Sequence, residues 1–241
     1  MDLGIDGRVA IVTAASRGLG RASAEALAAE GARVVLCARG AESLRQAEQS
    51  VAAYGVDVLA LPADIADPAV PQRLVAAAME RFGRVDIVVA NAGGPPLGGS
   101  LEVDDDAIRG AVELSLLSSV RLVRAALPHL RAGGWGRLCC ISSYTVTQAI
   151  PALALSNTAR SGLRAWAKTA AADLAGEGTG ITLNLVCPGP HATDRMRELG
   201  GSGPMGAPAD FGRVVAFVCS THAAFVNGAT IVVDGGVTLA L

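Results

Sequence analysis

The sequence predicts an α/β fold, a doubly wound parallel sheet of about seven strands with helices on both faces. Three observations predict it. Short apolar runs of strand length alternate with helix-length segments from one end of the chain to the other. The first apolar run enters a Gly-rich turn and then an Ala-rich helix. The ends of later strands carry polar and Gly-rich residues, where ligands gather in such sheets.

The elements follow in order. Val9 to Val12 suit a buried strand, and Arg21 to Glu30 a helix closed by Gly31. Ala32–Ala38 reads as the second strand, Ala41–Ala53 as a helix and Val56–Ala63 as the third strand. A helix over Pro68–Phe82 leads to a strand at Val85–Ala90. One long helix is expected over Asp105–Leu130, then a strand at Gly136–Ser142 and a helix from about Ser156 to Ala175. Ile181–Cys187 is the sixth strand, Asp210–Ser220 the last helix and Thr230–Val233 the last strand. Parallel βαβ units with right-handed crossovers follow from this alternation. No linker, repeat or low-complexity tract divides residues 1–241, so a single domain is expected.

Composition bounds the function. Apolar residues make up 51% of 241, enough for a packed core. A net charge of −2 with mixed signs gives no case for nucleic acid or an anionic membrane as partner. No basic segment precedes an apolar core at the start, and no apolar run is long enough for a bilayer. The five cysteines mostly lie in apolar runs without metal-ligand spacing and read as buried free thiols, as in a cytoplasmic protein.

The strand ends define a dinucleotide site of the Rossmann type. Backbone N–H groups at a helix start lack internal partners and face an anion, and Gly18 and Gly20 let a pyrophosphate approach. Candidate cofactor residues run from Thr13 through Ser16, Arg17, Gly18 and Leu19 to Gly20. At the second strand end no acid awaits a ribose 2′-hydroxyl; Arg39, with Arg17, suits a 2′-phosphate instead. NADP(H) is therefore favoured over NAD(H).

These motifs resemble the short-chain dehydrogenase/reductase family, in its single-domain kind that includes 3-oxoacyl-ACP reductase-like proteins. Thr13 to Gly20 is similar to the family's TGxxxGxG turn, with Ala14 in place of its first glycine. Asp64, followed by Ile65, matches the acid near the adenine, and Asn91-Ala92-Gly93 matches the NAG motif. Pro188-Gly189 with Thr193 matches the segment that contacts nicotinamide, and Asn227 through Gly236 the C-terminal signature.

The resemblance implies a catalytic set of Asn, Ser, Tyr and Lys, and here the chain departs from it. Ser143 matches the serine; Ser156 stands for the tyrosine, Arg160 for the lysine and Ser115 for the asparagine. Ser156 and Arg160 are i and i+4 on one helix and share a face. Arg160 keeps a charge that can bond a ribose hydroxyl, but an aliphatic hydroxyl is a far weaker acid than a phenol. Tyr144 and His191 are the alternative proton donors. His129 and His222 read as capping or surface residues.

The expected activity is NADP(H)-dependent reduction of a ketone to an alcohol with non-standard proton donation. The alternatives are a non-redox dehydratase, isomerase or cyclase, and a weakly catalytic NADP-binding subunit. A halohydrin dehalogenase is disfavoured by the retained glycine turn. A lid of about 194–208, rich in Gly and Pro, should close on a small-molecule substrate. Pro95, Pro96, Leu97 and Leu155 are candidate apolar walls, suiting an alicyclic, aromatic or polyketide-like carbonyl. The resemblance implies a homodimer or homotetramer, with Leu114, Leu117, Val120 and the 165–175 segment offering apolar faces.

Overall fold

The computed structural model describes residues 1–201 and 203–239; Ser202 of the expected lid lies outside the described residues. The strands are β1 (Val9–Thr13), β2 (Arg33–Ala38), β3 (Val58–Pro62), β4 (Ile87–Ala90), β5 (Gly136–Ile141), β6 (Ile181–Pro188) and β7 (Thr230–Val233). The helices are α1 (Gly18–Ala29), α2 (Ala41–Ala52), α3 (Val70–Phe82), α4 (Asp105–Val112), α5 (Ser118–Gly133), α6 (Ala154–Glu177), α7 (Asp194–Glu198) and α8 (Pro208–Val218). All seven strands join one parallel sheet in the order β3-β2-β1-β4-β5-β6-β7, as expected. The chain runs outward from β1 to β3, returns to β4 beside β1, and runs outward again to β7. The crevice between the ends of β1 and β4 is therefore a topological switch point.

Strand alternation sorts the core into two layers. Val9 and Ile11 of β1 pack with Leu74 of α3, Leu122 of α5 and Leu163 of α6. Ala10 and Val12 pack on the other face with Leu27 of α1, Leu44 of α2 and Phe211 of α8. At Gly212 of α8, a Cβ would come 2.3 Å from the Ala22 carbonyl oxygen, so glycine is what lets α8 lie against α1. All five cysteines are free and buried, as the sequence suggested. No described helix is long and apolar enough to cross a membrane.

At the opposite end of the sheet, Asp86 joins three groups. It accepts from the Arg8 guanidinium at 2.9 Å, the Val9 N–H at 2.9 Å and Arg84 at 2.6 and 2.8 Å. Burial alone would raise its pKa, but these bonds outweigh burial and hold the carboxyl below its ordinary value.

Several expectations need correction. The long helix is two helices, α4 and α5, joined by a π-helical turn at Glu113–Leu117. The extra residue turns Ser115 into the interior. Gly162 of α6 faces this turn, where a Cβ would come 2.7 Å from Leu116. Val120, expected on an intersubunit face, is buried within the chain. The short helix α7 is absent from the sequence reading because five residues are too few for a periodic signal. Thr193, whose hydroxyl accepts from the Met196 N–H, is the capping signal that marks it.

Candidate active site

The Gly-rich turn follows β1 directly. Ala14 takes a left-handed backbone, φ 47°, which explains why a glycine suits this position. Gly18, the first residue of α1, also has a positive φ of 59°. A Cβ on Gly20 would sit 2.4 Å from the Ala14 carbonyl oxygen and 2.8 Å from the Asn91 amide. Its bare backbone thus seats the start of α1 against the ends of β1 and β4. Thr13 sits beneath, its hydroxyl bonded to both backbone groups of Asn91.

Over these strand ends runs one groove of about 720 Å³. Arg17, Arg39, Ser43, Asp64 and Ile65 line one end. Ser16, Gly18 and Leu19, with Asn91, Ala92 and Gly93, line the middle, and Pro188, Gly189 and Thr193 line the wall beyond. Thr13 and Gly20 lie behind the groove and shape it rather than line it. These surroundings fit a dinucleotide: helix N–H groups, side-chain-free backbone and arginines at the β2 end. Arg39 lies 3.8 Å from Asp64, and Arg17 lies 3.7 Å from Asp194 and 3.9 Å from Glu198. These exposed, long pairs are weak, so both arginines are free to exchange partners.

Ser143, Tyr144, Ser156 and Arg160 converge at the other end of the groove. Ser143 Oγ accepts from the Thr145 N–H at 3.2 Å and from the Thr145 hydroxyl at 3.1 Å. Its own hydrogen is thereby left to point elsewhere. Burial, then the Asp234 charge, raises the Tyr144 pKa, so the phenol is protonated at neutral pH. Arg160 is only 7% exposed, and its Nη1 donates to the Ile141 carbonyl at 3.0 Å and the Ser142 carbonyl at 2.8 Å. Burial, with repulsion from Arg195, pushes its pKa down to about 10, which still leaves it charged at neutral pH.

His191 also reaches the groove wall, but its ring is buried. Nδ1 lies 3.0 Å from the Gly189 carbonyl, which only accepts, so Nδ1 carries the hydrogen. The ring meets Phe211 edge to face at 5.3 Å and is covered by Gly206. Ser115 is buried behind the groove, and its hydroxyl has no partner among the described residues.

Of the expected apolar walls, Pro95 lines the groove, whereas Pro96 and Leu97 face solvent. Leu155 packs with Ala111 and Ala159 instead. Because α6 begins two residues earlier than expected, Leu153 takes the wall position. Leu114, expected on an outer face, lines it too. Sequence reasoning also missed Arg195. From α7 its guanidinium lies over Gly94 and donates to the Pro95 carbonyl at 2.8 Å. A cation two residues after the Thr193 cap was the available signal.

Comparison with known proteins agrees with this geometry. Residues 13–238 match the family model described as Enoyl-(Acyl carrier protein) reductase. The 3-oxoacyl-[acyl-carrier-protein] reductase of Escherichia coli is 32% identical, covering 97% of this chain and 98% of the relative. Versicolorin reductase 1 of Aspergillus parasiticus is 32% identical, covering 96% of this chain and 97% of the relative. The L-sorbose reductase of Gluconobacter frateurii, solved with NADPH and L-sorbose, superposes with a TM-score of 0.93. That structure is 30% identical, with 100% of both chains covered. The fold, the groove and these likenesses place the chain in the short-chain dehydrogenase/reductase family.

Proposed function

We propose that this protein is an NADP(H)-dependent reductase of a small-molecule ketone, with a proton donor other than a tyrosine at position 156. One observation carries the reading. A single groove joins an end shaped for a dinucleotide, with helix N–H groups, side-chain-free backbone and two arginines, to a hydroxyl-lined end.

The nicotinamide cofactor, when bound, supplies the hydride. Gly18 and Leu19 would hold its pyrophosphate at the α1 start, and Arg17 and Arg39 its 2′-phosphate. Asp64 and Ile65 would border the adenine, Asn91 to Gly93 the ribose, and Pro188, Gly189 and Thr193 the nicotinamide. Ser143 is the residue to polarise the carbonyl, because Thr145 occupies its acceptor side and leaves its O–H to donate. Tyr144 is favoured over His191 as proton donor. It lines the groove as a neutral phenol, whereas the His191 ring hydrogen is already given to Gly189. Arg160 donates to the Ile141 and Ser142 carbonyls at the end of β5 and would keep a positive charge near the reacting oxygen. Ser156 supplies a further hydroxyl on the same wall. The relatives named as reductases support this reading.

Positioned acid catalysis is worth roughly 10²–10⁴-fold. Ser156 in place of a phenol, and Arg160 in place of an amine, favour a second reading: a non-redox enzyme or a weakly catalytic NADP-binding subunit on the same scaffold. Titration with NADPH and NADH, followed by loss of reduced-nicotinamide absorbance across ketones, separates these. Tight NADPH binding with turnover supports the reductase. Absence of NADPH binding sinks it, and tight binding with a silent ketone panel favours the second reading. By family likeness, the working form is a homodimer or homotetramer, which light scattering tests.

A further inference from the structure

The groove carries more positive than negative side chains, and the excess falls at its substrate end. Four arginines line it, Arg17, Arg39, Arg160 and Arg195, against three acids, Asp64, Asp194 and Glu198. Asp64 faces Arg39, and Asp194 faces Arg17. Glu198 divides itself between Arg17 at 3.9 Å and Arg195 at 3.7 Å. Among the described residues, no carboxylate lies within 4.0 Å of Arg160.

An unpaired cation is costly to bury, and Arg160 is 7% exposed. Two carbonyl dipoles on Nη1 offset part of that cost. Among the described residues the other guanidinium nitrogens take no acceptor, and they are not sealed from the groove. Arg195 approaches the same space from the lid. Gly94 makes room for it, since a Cβ there would come 3.1 Å from its Nε. Among the described residues its only hydrogen-bond acceptor is a neutral carbonyl, Pro95. The charges of Arg160 and Arg195 feel one another across this space. Leu114, Leu153 and Pro95 make the adjoining wall apolar.

We propose that the substrate end of the groove binds a carboxylate of the substrate between Arg160 on α6 and Arg195 on α7, so that the protein acts on oxo acids. This rests on the reductase reading. The carboxylate itself is unchanged: hydride from NADPH reaches the ketone carbon, a proton reaches its oxygen, and a hydroxy acid and NADP⁺ result. Planar carboxylates suit the forked donors of arginine, and a charged acceptor is a stronger partner for Arg195 than the Pro95 carbonyl.

Benzoate and its neutral counterpart benzamide test the seat without turnover. Each is titrated calorimetrically into the full-length protein, alone and saturated with NADP⁺, and NADP⁺ binding is measured separately. Benzoate should bind about tenfold tighter than benzamide. The preference should shrink with salt and collapse in Arg195→Gln and Arg160→Gln, with benzoate losing far more affinity than benzamide. Arg195 is the exposed partner, so its variant remains informative should the Arg160 variant fail to fold. Equal affinities, no binding of either probe, or benzoate displaced by NADP⁺ would overturn the seat. Failure of NADP⁺ to bind while benzoate keeps its preference sinks the reductase reading and leaves the anion seat standing.

Discussion

Thr13 and Asn91 clasp the sheet at the point where its strand order reverses. The Thr13 hydroxyl donates to the Asn91 carbonyl at 2.7 Å and accepts from the Asn91 N–H at 2.9 Å. One side chain thus satisfies both backbone groups at the end of β4, next to the Gly-rich turn. Thr13→Val keeps the shape and leaves both groups unpaired. It should lower unfolding free energy by about 1–3 kcal/mol, read from denaturant midpoints at constant slope.

Ala14 offers the opposite change. A left-handed backbone costs an alanine about 1–2 kcal/mol, and a glycine nothing comparable. Part of that gain returns as extra freedom in the unfolded chain. Ala14→Gly should therefore stabilise the protein by up to about 1 kcal/mol; a lower melting temperature would refute the strain at φ 47°.

Arg39 and Arg17 set the cofactor preference in the proposed reading. Their present partners are exposed carboxylates at 3.7–3.9 Å. Arg39→Ala should weaken NADPH about tenfold or more and leave NADH nearly level. An equal loss for both cofactors would place Arg39 outside the phosphate seat.

Restoring the family's residues tests the proton chemistry. Ser156 and Arg160 share one face of α6 at the hydroxyl-lined end of the groove. The double variant Ser156→Tyr with Arg160→Lys should raise kcat for ketone reduction by about 10²-fold or more. The lysine beside the new phenol lowers its pKa below about 10, so alcohol oxidation should gain an ionisation in that range. An unchanged rate would mean that Tyr144 already supplies all the acid catalysis the site can use.

Asp86 predicts the acid limb of stability. Its folded pKa lies below its unfolded value of about 3.9. The carboxylate therefore stabilises fully above that value, and its contribution is lost as pH falls through the folded pKa. Asp86→Asn should lower the melting temperature at neutral pH and flatten its fall below about pH 4. Parallel acid limbs in both proteins would show that other carboxylates govern it.

Legibility in the sequence tracked the range of the interactions. Runs such as Ile181–Cys187 declare a buried strand because each side chain answers to its immediate layer. The residues around the groove were legible because strand ends converge wherever strands are parallel. Arg195 was not, since its landing on Gly94 and Pro95 joins segments 100 residues apart. The π-helical turn was hidden because Glu113–Leu117 has the composition of ordinary helix. Leu155 was expected on the groove wall; inside α6, which begins at Ala154, it turns to Ala111 and Ala159 instead.

The bonds on either side of α7 tie two stretches of chain together. The Gly206 N–H donates to the Pro190 carbonyl at 3.0 Å, and the Ala192 N–H donates to the Gly206 carbonyl at 3.0 Å. Residues 190–192 before α7 and Gly206 after it are thus stitched along one seam, and α8 beyond is anchored on α1 through Gly212. Arg195 and both acids that face Arg17 sit on or next to α7, so one short helix carries the contacts on both sides of the groove.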